Sequence, residues 1–349
     1  MKGLLSLAEL PREEVVDLLA LATRLEAEGD PQALAGKILG LLFFNPSLRT
    51  LASMQAGMAR LGGTSFVVAP GSGSWKLETR SGVVMDGEAA EHVREAIPVL
   101  AGYADVLGVR AFAAGDDLAA DLADTNFRAL AALSPQPIVN LESAIDHPCQ
   151  ALADWKTLDE LAVARHGKLA LTWANHPKPL PLAVPAAVLR MAAQRGMEVV
   201  VLRPEAFRLP EPLLAEARQL AAGSGGSVRE TGDRGAALAG ADVVYAKSWA
   251  SAAHYGDAAQ ERELRAGLGD WMVDETWFAG AANARFMHCL PVRRNVVVTD
   301  AVLDSPRSVV VRQAHNRLWV QMAVLHRLLA GAGPARSRPG AFQAIQEGR

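Results

Sequence analysis

Short apolar runs alternate with longer amphipathic stretches along most of the chain, and this alternation limits the fold more than any other feature. The predicted strands cover residues 38–44, 65–69, 106–111, 137–141, 169–174, 198–202, 242–246, 286–290 and 308–312. The predicted helices include residues 13–27, 88–103, 151–164, 182–194 and 316–329. Strands that alternate with helices build parallel sheets, and continuously apolar strands are typical of sheets covered on both faces. The predicted fold class is therefore α/β, with mainly parallel sheets and helices on both faces.

The length of 349 residues, half of them hydrophobic, favours two domains. We predict a boundary near residues 141–150, between the fourth strand and the next helix. The first domain would cover residues 1–145 and the second residues 146–314. The last helix, about 315–330, would pack away from its sequence neighbours and complete the first domain. The tail 331–349 is rich in Gly, Pro, Arg and small residues and is predicted to be disordered.

Charge and cysteine content limit the partners and the compartment. The 35 Lys and Arg residues against 38 Asp and Glu argue against a nucleic-acid-binding protein. Only Cys149 and Cys289 are present, so a reducing compartment is favoured over a disulfide framework. The N-terminal apolar run is too short for a signal peptide, and no run approaches the ~20 residues of a membrane helix. We predict a soluble cytoplasmic protein with small-molecule substrates.

Active sites of open parallel sheets lie at the carboxyl ends of strands, so the polar residues that follow each strand are the candidates for function. The first strand is followed by residues 45–50, Asn-Pro-Ser-Leu-Arg-Thr, and then by a helix. Hydroxyl and guanidinium groups beside the free N–H groups of a helix start suit a phosphate. The alternative is an ordinary helix cap, because Asn and Ser cap well and Pro suits the first turn.

The third and fourth strands also end in polar residues. Arg110 ends an apolar strand, where burial is costly without an anion partner; the alternative is an ion pair with Asp116 or Asp117. Glu142 is followed by residues 147–150, His-Pro-Cys-Gln, in which His and Gln can donate toward one oxygen cluster. The alternative is a core histidine and a capping glutamine. Cys149 is interpreted as a small buried residue rather than a nucleophile.

The second half contains residues 288–295, His-Cys-Leu-Pro-Val-Arg-Arg-Asn, which would place backbone carbonyls and guanidinium groups in a cleft. The alternative for Arg293 and Arg294 is a solvated surface pair. Asn316 and Arg317 are interpreted as opening the last helix, where another anion could be bound, with a surface cap as the alternative.

Together these segments resemble the aspartate/ornithine carbamoyltransferase family. Its signature is Ser-x-Arg-Thr, an Arg at a strand end, His-Pro-x-Gln and His-Cys-Leu-Pro, and all four occur here in family order. The similarity covers residues 4–329 and is greatest to the branch that acts on N-acylated ornithine, through segments 43–47, 84–87, 172–179, 245–249 and 290–295. Enzymes for free ornithine carry a Ser-Met-Gly loop and an aspartate where this chain has Lys247-Ser248-Trp249. A lysine there would repel a free α-ammonium and tolerate an acylated nitrogen.

The resemblance implies roles for individual residues in a reaction of carbamoyl phosphate with an N-acylornithine, a step of arginine biosynthesis. Carbamoyl phosphate would be held by Ser47, Leu48, Arg49, Thr50, Arg110, His147, Gln150 and Arg317, with Cys289 and Leu290 orienting the carbamoyl amide through their backbone. Arg49, Thr50, Arg110 and His147 would be catalytic, and no metal or organic cofactor is implied. Trp75 would enter the site of an adjacent subunit in a homotrimer. The N-acylornithine would contact Ala90, Glu142, His176, Lys178, Lys247 and Arg293.

The acyl group is predicted from differences within that branch. The acetyl branch carries a sequence similar to Met-Asp-Gly-x-x-Glu-Glu-His. This chain has Ala90 at the position of the first glutamate. It also has Val297 in place of a lysine, and four residues separate Glu142 from His147, as in the succinyl branch. The alternative is that Ala90 is only a good helix former. We predict N-succinyl-L-ornithine as the substrate, with N-acetyl-L-ornithine as runner-up and His176 and Lys178 near the distal carboxylate.

One residue departs from the family pattern, because Leu51 follows Thr50 where a second arginine is usual. Its loss puts the rigidity of the phosphate loop in doubt and keeps open a catalytically weak binding protein of the same fold. A nucleotide- or NAD-dependent enzyme lacks support, since no G-x-G-x-x-G follows a strand and no G-x-x-x-x-G-K-[ST] occurs.

Overall fold

Two parallel sheets form the framework of the protein. The computed structural model describes residues 1–330. A four-stranded sheet has the order β2-β1-β5-β6, a five-stranded sheet has the order β11-β10-β7-β8-β9, and β3 pairs with β4. All pairs are parallel, which confirms the predicted α/β class. The strands are β1 Ile38–Phe43, β2 Thr64–Val68, β3 Lys76–Glu78, β4 Ala89–His92, β5 Val106–Arg110, β6 Ile138–Glu142, β7 Lys168–Trp173, β8 Glu198–Leu202, β9 Ser227–Thr231, β10 Val243–Lys247 and β11 Arg285–Met287.

Helices connect these strands, as parallel pairing requires. They are α1 Arg12–Glu28, α2 Leu48–Arg60, α3 Val93–Gly102, α4 Leu118–Leu122, α5 Thr125–Ala132, α6 Pro148–Glu160, α7 Ala183–Arg195, α8 Glu211–Ser224, α9 Arg234–Leu238, α10 Ala258–Ala266, α11 Asp300–Leu303 and α12 Val310–Leu329. The last helix, α12, packs against α1, α2 and α6, and α6 also packs against α7. The helices α6 and α12 therefore lie between the first and second halves of the chain.

Three sequence predictions of secondary structure are wrong. Residues 308–312 form no strand: Ser308 makes a single bridge to Phe286, and α12 begins at Val310. A short apolar run does not distinguish a strand from a buried helix start. The predicted helix 88–103 begins only at Val93, because β4 precedes it and the His92 side chain caps its first turn. The third wrong prediction concerns the start of the last helix. The helix α12 starts six residues before Asn316, so Arg317 lies within the helix instead of opening it.

Other differences concern strand ends and edges. The predicted strand 286–290 ends at Met287, because the chain turns away and Leu290 takes a φ of 56°. The edge strand β9 was not predicted; its exposed and half-buried residues alternate without an apolar run. The domain boundaries stay a prediction, and the expected disorder of 331–349 lies outside the described residues. None of the helices within residues 1–330 is long and apolar enough to cross a membrane; the cytoplasmic location stays a prediction.

Candidate active site

The turn from β1 into α2 is built to present donors. The Ser47 hydroxyl caps the helix by accepting the Thr50 N–H at 3.2 Å, and Leu48 at the first helical position is exposed. Arg49 is half-buried, and no carboxylate pairs with it in the part of the chain that the structure describes. Leu51 packs against the main apolar core. This apolar contact anchors the helix start from behind, where the family usually has an arginine.

At the next strand ends, Arg110 forms an ion pair with Glu142. Their side chains are 9% and 12% exposed. Arg110 also donates to the Leu141 carbonyl at 3.3 Å. The alternative partners considered from the sequence are wrong, since Asp117 instead caps α4. The pair brings one cation and one carboxylate to the cleft edge of the sheet.

Glu142 and His147 bracket the turn between β6 and α6. Glu142 has a φ of 144°, a backbone conformation that non-glycine residues rarely adopt and that costs about 1–3 kcal/mol. His147 is the buried N-cap residue of α6, and its Nε2 lies 3.6 Å from a Glu142 carboxylate oxygen. Cys149 behind it is fully buried, and burial raises the pKa of its thiol to about 12. This inert thiol agrees with the interpretation of Cys149 as a small core residue.

Arg317 joins this group from α12. Its Nη2 donates to the Thr50 hydroxyl at 2.5 Å, and its Nη1 reaches the Gln150 side-chain oxygen at 3.5 Å. Burial, aided by the charges of Arg110 and Arg49 and opposed by Cys149 and Glu142, lowers the pKa of Arg317 to about 10. The guanidinium thus crosses from the last helix into the phosphate loop, a contact that sequence position alone does not reveal.

Charge in this group is unbalanced. Three guanidinium groups, of Arg49, Arg110 and Arg317, influence one another, and Glu142 is the carboxylate that acts on all of them. Burial lowers the pKa of Arg49, and Arg110 adds to that effect. We call Arg49, Arg110, Arg317 and Glu142 the arginine cluster. Its excess of positive charge suits a dianion such as a phosphate ester.

The ends of the second sheet face the arginine cluster with further basic groups. His176 follows β7, Lys247 ends β10, and His288 to Arg293 follow β11. Burial lowers the pKa of His176, and the charges of Arg293 and Lys247 lower it further. Lys247 also acts on His147 and on Cys289, whose pKa is raised mainly by burial. The two sheets therefore share one positively charged cleft.

Two buried histidines, His147 and His288, make the folding stability sensitive to acid. Burial lowers the pKa of His147 and of His288 well below 6.5, and neighbouring cations lower it further. Both stay neutral in the folded protein while unfolding exposes them to protonation. Below their unfolded pKa the unfolded state binds more protons, so folding stability falls as the pH falls.

We expect His288→Asn to remove part of this acid sensitivity. Asparagine can still accept the Leu290 N–H that His288 Nδ1 accepts at 2.9 Å, but it cannot be protonated. Below pH 6.5 the free energy of unfolding of the wild type should fall relative to that of the variant, by up to about 1.4 kcal/mol per pH unit. Urea unfolding from pH 7.5 to 5 measures it, and parallel curves would contradict the assignment.

Not every predicted site residue joins this cleft. Trp75, just before β3, is 59% exposed and donates its indole N–H to Glu91 at 2.9 Å. Ala90 lies exposed on β4, not in a helix. Lys178 is exposed, with its backbone beside His176 Nδ1. Arg294 forms ion pairs with Asp300 and Asp304 at the surface, in agreement with the alternative that it is a solvated surface residue.

Sequence reasoning missed several buried polar residues next to the cleft: Asp154, Arg265, Gln313 and Tyr245. Arg265 ties two loops together by donating to the His176 carbonyl and the Ser248 hydroxyl. For Asp154 and Gln313 the sequence did contain a signal. Asp154 follows Gln150 by one helical turn, and Gln313 precedes Arg317 by one helical turn.

The comparison with known proteins decides the family. The model of the carbamoyl-P binding domain of aspartate/ornithine carbamoyltransferases matches residues 2–160, and that of the Asp/Orn binding domain matches residues 184–328. The chain belongs to the aspartate/ornithine carbamoyltransferase family. This confirms the resemblance seen in the motifs, and it makes the chain a carbamoyltransferase.

Named relatives carry two different substrates in their names. N-acetylornithine carbamoyltransferase of Xanthomonas campestris pv. campestris is 40% identical over 96% of this chain and 99% of its own length. N-succinylornithine carbamoyltransferase of Bacteroides thetaiotaomicron is 39% identical over 84% of this chain and 88% of its own. A crystal structure of a glutamate-to-alanine mutant of N-acetyl-L-ornithine transcarbamylase, complexed with carbamyl phosphate and N-succinyl-L-norvaline, covers 94% of this chain and all of its own, with a TM-score of 0.91 and 41% identity.

Proposed function

We propose that the protein transfers the carbamoyl group of carbamoyl phosphate to the δ-amine of an N-acylornithine, and that its preferred acceptor is N-succinyl-L-ornithine. The products would be N-succinyl-L-citrulline and phosphate, in arginine biosynthesis. The observation that carries the proposal is the arginine cluster at the carboxyl ends of the first sheet, with Lys247 and Arg293 opposite it. Two cationic sides of one cleft suit two anionic substrates.

In the proposed reaction the neutral δ-amine attacks the carbonyl carbon of carbamoyl phosphate. A tetrahedral oxyanion forms, the carbon–oxygen bond to phosphate breaks, and the departing phosphate takes the proton from the new amide nitrogen. Arg110, His147 and Thr50 would stabilise the oxyanion, and Arg49, Ser47 and Arg317 the charge on phosphate. Placement and preorganised charge are sufficient sources of such catalysis. His147 acts as a neutral donor here, since its pKa is held low by burial.

The preference for an acylated nitrogen rests on Lys247. It ends β10 and acts electrostatically on His147, His176 and Cys289, so its charge lies within the cleft. A free α-ammonium would meet this cation, whereas an acylated nitrogen is neutral and the α-carboxylate is attracted. This charge arrangement supports N-acylornithine over ornithine as the acceptor.

The succinyl preference rests on Ala90. A glutamate there would oppose the extra carboxylate of a succinyl group, and alanine removes both its bulk and its charge. The glutamate-to-alanine relative complexed with N-succinyl-L-norvaline supports the same reasoning. Because Ala90 on β4 and Trp75 just before β3 are exposed and outside the cleft, the proposal assigns them to the site of a neighbouring subunit of a homotrimer. N-acetyl-L-ornithine is the second candidate, favoured by the relative that matches 96% of this chain.

We expect the wild type to use N-succinyl-L-ornithine with a higher kcat/KM than N-acetyl-L-ornithine. Ala90→Glu should reduce this preference by about 1–3 kcal/mol, because it buries a like charge beside the succinyl carboxylate. A phosphate-release assay with both acceptors measures the ratio. Ala89→Glu, at the preceding and half-buried residue of the same strand, is the control. A preference for N-acetyl-L-ornithine, or one untouched by Ala90→Glu, would defeat the succinyl assignment and leave the carbamoyltransferase family intact.

We expect mixed subunits to restore activity if sites are shared. Trp75→Ala and Arg49→Ala should each strongly reduce activity at a carbamoyl phosphate concentration well below the Kd of Arg49→Ala. Exchange between them should regenerate some sites that hold neither change. The activity of the exchanged mixture, with exchange verified by differential tags, is the measurement. Tyr103→Ala, at another exposed aromatic residue, is the matched control and should stay active unmixed. An exchanged mixture without activity would contradict the shared site.

A catalytically weak binding protein of the same fold is the alternative from another class. The packing of Leu51 against the core weakens the case for this alternative, because the phosphate loop is still supported from behind. Release of phosphate from carbamoyl phosphate only in the presence of an N-acylornithine would reject this alternative. Binding of carbamoyl phosphate without turnover of either acceptor would establish it.

A further inference from the structure

We infer that Asp154 is a positioning residue that fixes which atom of Gln150 faces the substrate, and so selects the amide end of carbamoyl phosphate. The inference rests on the proposed carbamoyl phosphate site. Asp154 lies one turn beyond Gln150 on α6 and is fully buried. No Lys or Arg forms an ion pair with it within residues 1–330, so charge pairing does not explain its burial.

The carboxylate of Asp154 receives two side-chain amides. Its Oδ1 accepts an N–H from Gln150 Nε2 at 2.8 Å and an N–H from Gln313 Nε2 at 2.7 Å. An ionised carboxylate accepts hydrogen bonds and cannot donate them. Both glutamines must therefore turn their NH₂ groups toward Asp154 and their oxygen atoms away from it.

For Gln150 this orientation decides what the site offers. Its oxygen lies 3.5 Å from Arg317 Nη1, within the arginine cluster, and acts there as an acceptor. The NH₂ group of carbamoyl phosphate is a donor and matches an acceptor. The methyl group of acetyl phosphate, which is otherwise similar in shape, does not.

For Gln313 the same orientation reaches the other side of the cleft. Its oxygen accepts the backbone N–H of His288 at 3.0 Å, directly before Cys289 and Leu290. Its Nε2 also lies 3.1 Å from the Tyr245 hydroxyl on β10. One carboxylate thus holds both groups proposed to accept from the carbamoyl amide, the Gln150 side chain and the strand-end carbonyls.

The energetics agree with a functional role. Burial raises the pKa of Asp154 to about 7, and the N–H donors of Gln150 and Gln313 counteract that rise. A buried carboxylate without an ion pair is costly to keep even with the charge of Arg317 nearby, and such groups concentrate at functional sites. The N–H donors of Gln150 and Gln313, together with the Tyr245 hydroxyl and the charge of Arg317, favour the ionised, acceptor-only form.

The test is Asp154→Asn, which keeps the shape of the side chain. Its NH₂ group can donate to Gln150, so the Gln150 side-chain amide can rotate by 180° and exchange its oxygen and nitrogen positions. Binding of carbamoyl phosphate, acetyl phosphate and inorganic phosphate is measured for the same preparation by calorimetry. We expect carbamoyl phosphate to bind about 10- to 100-fold more weakly, the range for a buried polar group left unmatched. Acetyl phosphate and inorganic phosphate should bind as they do to the wild type.

Controls separate this role from simple destabilisation. Asp159→Asn, on the same helix, loses an ion pair with Arg195 at 3.0 Å and should leave all three affinities unchanged. If Asp154→Asn does not fold, Gln313→Met leaves Asp154 in place and should shift the same ratio by a smaller factor.

Three outcomes would overturn the inference. Equal weakening of all three ligands would show that Asp154 only supports the fold. Unchanged carbamoyl phosphate binding would show that it has no influence on Gln150. A wild type that does not prefer carbamoyl phosphate to acetyl phosphate would overturn the proposed function as well, and so would be distinguishable from a failure confined to Asp154.

Discussion

Arg49→Ala is expected to weaken carbamoyl phosphate binding by about 1.5–3 kcal/mol, or roughly 10- to 150-fold in Kd. Arg49 lies at the start of α2, beside Ser47 and Thr50, and no acid within residues 1–330 pairs with it. Its charge is therefore free for a phosphate, and a charge-assisted bond is lost when it is removed. Isothermal titration with carbamoyl phosphate measures the change.

The same substitution should leave the free energy of unfolding almost unchanged. Arg49 lies within electrostatic range of Arg110, so its removal relieves repulsion while it forfeits little packing. Arg60→Ala, at the exposed end of the same helix, is the matched control and should bind carbamoyl phosphate as the wild type does. Wild-type affinity in Arg49→Ala would show that the phosphate site lies elsewhere.

The fold and the chemical groups of the cleft could be predicted because both are encoded locally. Alternating apolar runs and amphipathic stretches predict parallel sheets, and parallel sheets place function at strand ends. Arg110, Glu142 and Lys247 lie at the last residues of β5, β6 and β10, where the rule directs attention. Local pattern was therefore sufficient to choose the residues.

The pairing among those residues could not be predicted, because it depends on register between strands distant in sequence. The register between β5 and β6 shifts after Val109, which sets Arg110 opposite Glu142. Because that irregularity is not visible in the sequence, the nearby acids Asp116 and Asp117 were the natural candidates for the ion-pair partner of Arg110. The partner of Arg110 is thus a property of the sheet and not of the segment.

Long-range placement also explains what the local sequence pattern could not show or misassigned. Arg317 acts from the middle of α12, and its partner Thr50 lies 267 residues earlier, so only tertiary packing brings them together. Ala90 was assigned to a helix because its neighbours favour one, yet Ala89 and Glu91 on either side of it pair with β3 and make it part of a strand. Asp154 and Gln313 lie one helical turn from Gln150 and Arg317, but their joint role depends on two helices meeting.

Glu142→Gln is expected to lower the free energy of unfolding by about 3–5 kcal/mol, the range for a buried ion pair that loses one partner. Glutamine keeps the shape of the side chain but leaves Arg110 buried beside two other guanidinium groups. Urea unfolding measures the loss. Glu211→Gln removes the exposed ion pair with Arg218 and, as the matched control, should have little effect because surface pairs contribute little.

Inorganic phosphate should reverse much of that loss, and this separates the proposed cluster from an ordinary structural ion pair. With Glu142 neutralised, a bound dianion becomes the principal source of compensating charge for Arg49, Arg110 and Arg317. A ligand at 100 times its Kd adds about 2.7 kcal/mol to the folded state. Because the variant lacks the competing carboxylate, its Kd for phosphate should be lower than that of the wild type. Its stability should therefore rise more steeply with phosphate concentration. Equal phosphate dependence in the two proteins, or a variant as stable as the wild type without phosphate, would mean that Glu142 does not balance the arginine cluster.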